Sequence, residues 1–409
     1  MKFTACFLIL LFLPVNEKTF PLQTPNHYSD DLTGQEIQTD IDRYVEMTET
    51  ILNDPPVVIT SNRSTATDGE MNSYVSLACY WWPNPNTDNG LPYVRIDGEV
   101  NPESRSEKSD LPNLINMAQR IELLSNAFLN SGDEKFAQIA VEQLHAWFIN
   151  PKTSMNPHLK YAQRVKGRNS GRSYGLIDTW WLIRVVDFFQ VLKSSKHWSK
   201  ETDQELKNWF THYLNWLRNS EFGQEESRSK NNHGTWYDLQ IITFAQFTGQ
   251  TDFAANYLEE VTKQRIEKQI TWSGRQKYET RRPRPVHYSI YNLSGALKLA
   301  IHGEKLGVDI KYSSRLMGNH LRSAVEYLID MVDGTDPGNY RDEHDQTETD
   351  ILYLNLLLDS LQLYDRPDFK NEAARVYLQI TDSKPVWHPA IKNLFTDPEP
   401  KTIDNQAGL

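Results

Sequence analysis

The chain reads as an all-α protein, an (α/α) toroid (an incomplete α/α barrel) of helix hairpins interrupted by long ordered loops. Three observations predict it. Apolar residues recur at spacings of three and four from residue 111 almost to residue 380, the period of helices with a buried face. No alternating run of comparable length reads as strand. Three joints between helices also share a pattern: NSGDEKFAQIA at 130–140, FTGQTDFAANY at 247–257 and YDRPDFKNEAA at 364–374. Each is a short polar turn, an acidic residue, a Phe and a new helix. Stacked hairpins close into a solenoid or into a toroid with alternating inner and outer helices. Residues 60–390 supply enough hairpins for the toroid, so one domain is expected over 21–409, with its core at about 70–385.

The elements follow in order. Met1 and Lys2 precede the apolar run Phe3–Val15, which is too short to cross a bilayer and reads as a signal peptide over residues 1–20. Cys6 lies in that run, so Cys79 is left as a single thiol with no internal disulfide partner. A large exported chain without disulfides suits a periplasmic or secreted bacterial enzyme. Residues 23–72 are polar, with one helical pattern at 37–52. Residues 73–110 carry Pro, Gly, Asn and Asp every few positions and read as a long ordered loop, which inside a compact domain is usually functional. Helices are then expected at 111–129, 135–148, 175–192, 201–216, 234–247, 253–270, 289–306, 313–332, 350–363 and 369–380.

Charge and composition exclude some functions. Lys and Arg total 43 against 54 Asp and Glu, a net charge of −11, which argues against general nucleic-acid binding. No apolar run reaches the ~18 residues of a membrane span. No glycine-rich phosphate loop is present, and no nucleotide or other cofactor is expected. Asp342, Glu343, His344 and Asp345 lie in RDEHDQTETD without metal-ligand spacing and read as a solvated acidic loop, so no metal is expected.

Against the acidic background, two basic clusters suggest an anion-binding groove. Lys160–Arg172 holds five Lys or Arg and no acid, and Lys263–Arg284 holds eight against two acids. Asn231-Asn232-His233 opens a helix, where donors favour a carboxylate, although Asn there is also a common cap. In ETRRPRPVHYSIYN (279–292), prolines stiffen the approach to Tyr288 and fix Arg282 relative to it. A nearby arginine is expected to lower the tyrosine pKa and make it a usable base. Tyr80, Trp81 and Trp82 start the long loop, where Trp faces suit apolar sugar faces, although core packing is the competing use.

On these residues the sequence resembles the alginate lyase domain family, most closely polysaccharide lyase family 38, over about residues 70–385. The resemblance is carried by SLACYWWPNPNTDNGLPYVRIDGEVNPES, GRSYGLIDTWW, the NNH triplet and the run Glu279, Arg282, Arg284, Tyr288, Ser289, Asn292 and Leu293. The chain departs from many relatives at Pro283 and Pro285. The resemblance implies a toroid and β-elimination of an anionic uronate polysaccharide. It also implies Tyr288 as the catalytic tyrosine, with His233 and Arg282 around the substrate carboxylate. Asn232, Asn169, Arg284, Arg172, Tyr80, Trp81, Trp82 and Tyr291 are expected to line the substrate site.

The chemistry demands such groups. H5 of a uronate is weakly acidic until its carboxylate is neutralised, which Asn, His and Arg can do without a metal. A base must take H5, and an acid must protonate O4. In mannuronate and glucuronate these lie on one face of the ring, so a single Tyr suffices. In guluronate they lie on opposite faces. Mannuronate-rich alginate is the expected substrate, with glucuronan, which differs only at C2, as the alternative. A glycoside hydrolase on the same scaffold would need two carboxylates about 5–9 Å apart in the cleft, and Asp178 and Glu279 are the candidates. A non-catalytic uronan-binding protein is the third reading.

Overall fold

The computed structural model describes residues 42, 45–46, 48–59, 71–312, 318–342 and 346–381. The expected signal peptide and half of the helical pattern at 37–52 lie outside the described residues. So do Glu343, His344 and Asp345.

Among the described residues twelve helices carry labels in chain order. They are α1 (Leu111–Ser131), α2 (Glu134–Leu144), α3 (Trp180–Leu192), α4 (Lys200–Asn219), α5 (Glu221–Glu226), α6 (Asn232–Phe247), α7 (Thr251–Tyr257), α8 (Lys263–Gln269), α9 (Pro285–Leu306), α10 (His320–Asp333), α11 (Gln346–Leu363) and α12 (Pro367–Thr381). Packing runs from α1 to α3, α3 to α6, α6 to α9 and α9 to α11, which forms the inner layer. The outer helices α2, α4, α7, α10 and α12 lie against α1, α6, α6, α9 and α11 respectively. Inner and outer helices therefore alternate along the chain, as in an α/α toroid.

Residue pattern explains the layers. In α6 nearly every residue from Gly234 to Ala245 is buried, as expected of a helix packed on several sides. In α4 burial is confined to one stripe, Thr202, Leu206, Trp209, Phe210, Tyr213, Leu214 and Leu217. Each such apolar side chain contributes about 1.5–3 kcal/mol on burial. The inner helices α6 and α9 run parallel, since Thr235 meets Asn292 while Thr243 meets His302 further along both. They approach closely at Gly295, where a Cβ would stand 3.0 Å from the Thr235 methyl group.

The shared joints use their acids in different ways. Asp133 caps α2 by accepting from the Lys135 amide at 3.0 Å, whereas Asp252 and Asp368 sit in the first turns of α7 and α12. Phe136 and Phe369 are fully buried, and Phe253 lies under the Arg218 guanidinium at 3.9 Å.

Several boundaries differ from the expectation. The stretch at 175–192 begins as a 3-10 segment, Ser173–Thr179, before α3, and 253–270 is broken by a π turn at Leu258–Thr262. The helix expected from 313 begins at His320, and α9 begins at Pro285, four residues early, so Tyr288 lies inside its first turn. Proline suits that first position because its missing N–H would have no helical partner.

The long loop is pinned by short strands that no alternating pattern announced. Strand β1 (Val75–Leu77) pairs in parallel with Tyr161–Arg164, and β2 (Trp81–Trp82) pairs antiparallel with β3 (Val94–Arg95). These pairings are two to four residues long, below the length at which alternation becomes visible.

Candidate active site

The N-termini of the parallel helices α6 and α9 put His233 and Tyr288 at one end of the toroid. Neither helix is capped by its own leading residue. Asn231 and Arg284 occupy the cap positions without a side-chain cap bond. Carboxylates from elsewhere in the chain do the work. Glu279 accepts from the Asn232 amide and from its side-chain Nδ2, both at 2.8 Å. Asp342 accepts from the amides of Val286 at 3.0 Å and His287 at 2.8 Å. One leading amide of α6 and two of α9 are thereby satisfied, and each carboxylate faces the positive end of its helix. Asp342, expected in a solvated loop, is thus the cap of the tyrosine helix.

Tyr288 is buried, and its oxygen has two neighbours. Arg282 Nη2 donates to it at 2.8 Å, and the Tyr80 hydroxyl lies 2.6 Å away. The Arg282 guanidinium also stands 3.8 Å from the centre of the Tyr288 ring. Asp97, from the turn after β3, holds Arg282 through Nε at 3.3 Å and Nη2 at 3.1 Å. The expected lowering of the Tyr288 pKa is overturned. Burial pushes it well up, Tyr80 adds to the rise, and the pull of Arg282 does not compensate. Burial likewise raises Tyr80.

His233 Nδ1 lies 2.5 Å from Glu226 Oε1, at the end of α5. Accepting that hydrogen bond, the buried carboxylate keeps a proton on Nδ1 and fixes the ring. The ring edge meets Tyr174 at 4.9 Å. The loop before α6 is clamped by Arg265, which grips Asp238 with two nitrogens, at 2.7 and 3.0 Å, and donates to the Ser227 and Ser229 carbonyls. Arg265, from the second basic cluster, is therefore internal bracing rather than groove lining.

The remaining expected residues fall into two groups. Arg172 lies 5.0 Å from the Tyr174 ring and 5.9 Å from the Trp81 ring, with Arg168 5.1 Å from the same indole. This aromatic and cationic wall joins Trp81 to His233. Tyr291 stacks on Trp236 at 4.8 Å and 28°. Arg284 leads α9, half-buried. Other expected residues are committed elsewhere. The exposed Asn169 turns its Oδ1 back to the Val165 amide at 3.0 Å, and Trp82 Nε1 donates to the Glu99 carbonyl at 3.1 Å. Asn232 gives one Nδ2 hydrogen to Glu279.

The hydrolase pair is not in the cleft. Asp178 is buried and accepts from Ser76 at 2.6 Å, Gln163 at 2.8 Å and Tyr74 at 3.1 Å. Glu279 is buried beneath Asn232, with its pKa raised by that burial. Both serve as internal acceptors. Sequence reasoning missed Glu226, Asp97 and Tyr174. Tyr174 lies within GRSYGLIDTWW and Asp97 within the long loop motif at 76–104, whereas Glu226 sits among other acids with no local mark.

The fold is that of a toroid-type polysaccharide lyase. The chain belongs to the alginate lyase family, whose model matches residues 58–338. It is 30% identical to an alginate lyase from Bacteroides ovatus, with 88% of this chain and 93% of that one covered and a TM-score of 0.78. Alginate lyase A1-III from Sphingomonas species A1 aligns at 13% identity and a TM-score of 0.45, with 77% and 86% of the two chains covered. A comparison with curated protein sequences gives no match. Among the described residues no helix is long and apolar enough to cross a membrane.

Proposed function

We propose that this chain cleaves 4-linked, mannuronate-rich alginate by syn β-elimination without a metal. The observation that carries this reading is the Tyr288 oxygen, in the first turn of α9, with a guanidinium donor at 2.8 Å and a second hydroxyl at 2.6 Å. Both groups can donate to a phenolate, which offsets the cost that burial puts on ionising Tyr288. His233 and Arg282 neutralise the substrate carboxylate, with Asn232 contributing its second Nδ2 hydrogen. Tyr288 takes H5, and the C–H electrons form the C4=C5 bond as C4–O4 breaks. The tyrosine then returns the proton to O4. A phenol of raised pKa is a strong base once ionised, and the same group is then an adequate acid. Glu226 positions His233, and Asp97 positions Arg282. Trp81, Arg172 and Tyr174 form a wall for the neighbouring sugars. We further propose that residues 1–20 direct export and that residues 21–409 form one domain.

The test is a panel of polymannuronate, polyguluronate and glucuronan, followed by the ultraviolet absorbance of the new double bond. Polymannuronate should be cut much faster than polyguluronate, whose H5 faces away from the tyrosine. Activity should survive a chelator. Equal rates on the two alginate polymers would require a second base and end the single-tyrosine scheme. Faster cleavage of glucuronan would move the substrate assignment to the alternative.

A further inference from the structure

A second pocket lies outside the site described above. It has a volume of about 220 Å³ and is lined by Trp272, Tyr312, Asn319, His320 and Arg322, among others. Two features separate it from ordinary surface. Trp272 and Tyr312 are 57% and 48% exposed, which leaves two large ring faces open to water beside one cavity. His320, by contrast, is buried, and its Nε2 has no hydrogen-bond partner among the described residues. Its Nδ1 lies 3.2 Å from the Ile270 carbonyl, to which it can only donate, so Nε2 of the neutral ring is an acceptor. An unfilled buried acceptor calls for a donor that the described residues do not supply.

The platform is held rigidly. Trp272 sits in a tight turn closed by Gly274 N donating to the Thr271 carbonyl at 3.0 Å and by the Ile270–Gln276 bridge. Gly274 has a φ of +85°, and a Cβ there would lie 1.9 Å from the Ser323 carbonyl, so the turn rests directly on the first turn of α10. The indole packs over Gly318 and lies 5.7 Å from the His320 ring. Arg322 is half exposed and only 3.6 Å from Glu326, a carboxylate that Arg366 already binds at 2.7 Å. The Arg322 contact uses Nε alone, and its two Nη nitrogens have no hydrogen-bond partner among the described residues and can meet an anion.

We propose that this pocket is a second, non-catalytic binding site for a uronate residue of an anionic polysaccharide. The apolar face of the pyranose ring stacks on Trp272, beside Tyr312. A ring hydroxyl donates to His320 Nε2, and the carboxylate meets Arg322. The turn that carries Trp272 continues into the segment bearing Glu279 and Arg282. It is also tied to α9 by Gln276 Nε2, which donates to the Ser289 carbonyl at 2.8 Å. A polymer held here is thereby tethered to the helix that carries Tyr288. The ligand class rests on the proposed function, whereas the existence of a sugar site rests on the pocket.

The test uses the full chain with Tyr288→Phe, so that bound polymer stays intact, in native gels containing polymannuronate, glucuronan or a neutral β-1,4-glucan. Adding Trp272→Ala or Arg322→Gln should weaken retardation by each uronan about fivefold, the size of one stacking or ionic contact. In the otherwise native enzyme, Trp272→Ala should leave the rate on a tetramannuronate unchanged. Equal retardation of the parent and both variants overturns the proposal, and equal retardation by the neutral glucan overturns the uronate assignment. Uronan cleavage combined with Trp272-independent retardation removes the second site and leaves the lyase reading intact. Retardation that depends on Trp272, with no uronan cleaved, does the reverse.

Discussion

Tyr288→Phe separates chemistry from packing, because the ring keeps its place over Arg282, 3.8 Å away, and only the hydroxyl is lost. Two hydrogen bonds disappear, to Arg282 and Tyr80. Each is worth about 0.5–1.5 kcal/mol net, so the fold should lose about 1–3 kcal/mol. Arg282 keeps its contacts with Asp97, so no buried cation is stranded. The rate should respond far more. One proton-transfer group contributes about 10²–10⁴-fold, and Tyr288 is assigned both transfers, so kcat should fall at least ~10³-fold with KM little changed. In the parent enzyme the raised pKa has a consequence of definite sign. The active form is the ionised one, so kcat/KM should climb with pH from neutral into the alkaline range. Tyr80→Phe removes one donor to the phenolate and should cost about 1.5–3 kcal/mol of transition-state stabilisation. Tyr291→Phe should be nearly silent, since its ring stacks on Trp236 whether or not the hydroxyl is present. The assay is initial rate by ultraviolet absorbance, beside thermal melts. An active Tyr288→Phe together with an inactive Tyr291→Phe or Tyr80→Phe would refute the assignment.

His233→Ala and Arg282→Ala should each cost about 2–4 kcal/mol of transition-state stabilisation in kcat/KM, and full activity of both would remove the neutralisation scheme. Glu226→Gln should lower kcat more than it raises KM, because it loosens the histidine without touching substrate, and unchanged kinetics would refute that role. Asp342→Ala uncaps α9 and should destabilise the fold by about 0.5–2 kcal/mol in urea titrations, while an unchanged midpoint would contradict the cap. Burial, with Arg284 and Arg282 nearby, lowers the His287 pKa from 6.5 to about 4. The unfolded chain therefore binds the extra proton first, and this residue's contribution to stability falls as pH drops from 6.5 towards 4, by at most about 1.4 kcal/mol per pH unit. His287→Asn should flatten that slope relative to its parent, while burial raises Glu122 and Asp187 and gives both the opposite trend in each protein. A parallel slope in the two proteins would count against it.

Much of this protein was legible in one dimension. Helical period and the recurring joints determined a stack of helix hairpins, because burying one stripe per helix requires apolar residues every three or four positions, wherever the partner helix lies. The packing of the inner helices one on the next was decided only in the tertiary structure. The chemistry also left local marks. NNH and the arginine- and proline-rich approach to Tyr288 stand at the starts of consecutive inner helices, and parallel packing brings those starts together. What sequence could not show is which distant groups serve them. Glu279 caps the His233 helix from 47 residues away, and Asp342 reaches back 55 residues to the His287 amide. A carboxylate among other carboxylates carries no sign of its partner, so Glu226, Asp97 and Asp342 became visible only in three dimensions. The same holds for the direction of the Tyr288 pKa. The nearby arginine is written in the sequence, but the burial that outweighs it is a property of the whole fold, because desolvation depends on everything packed around the phenol.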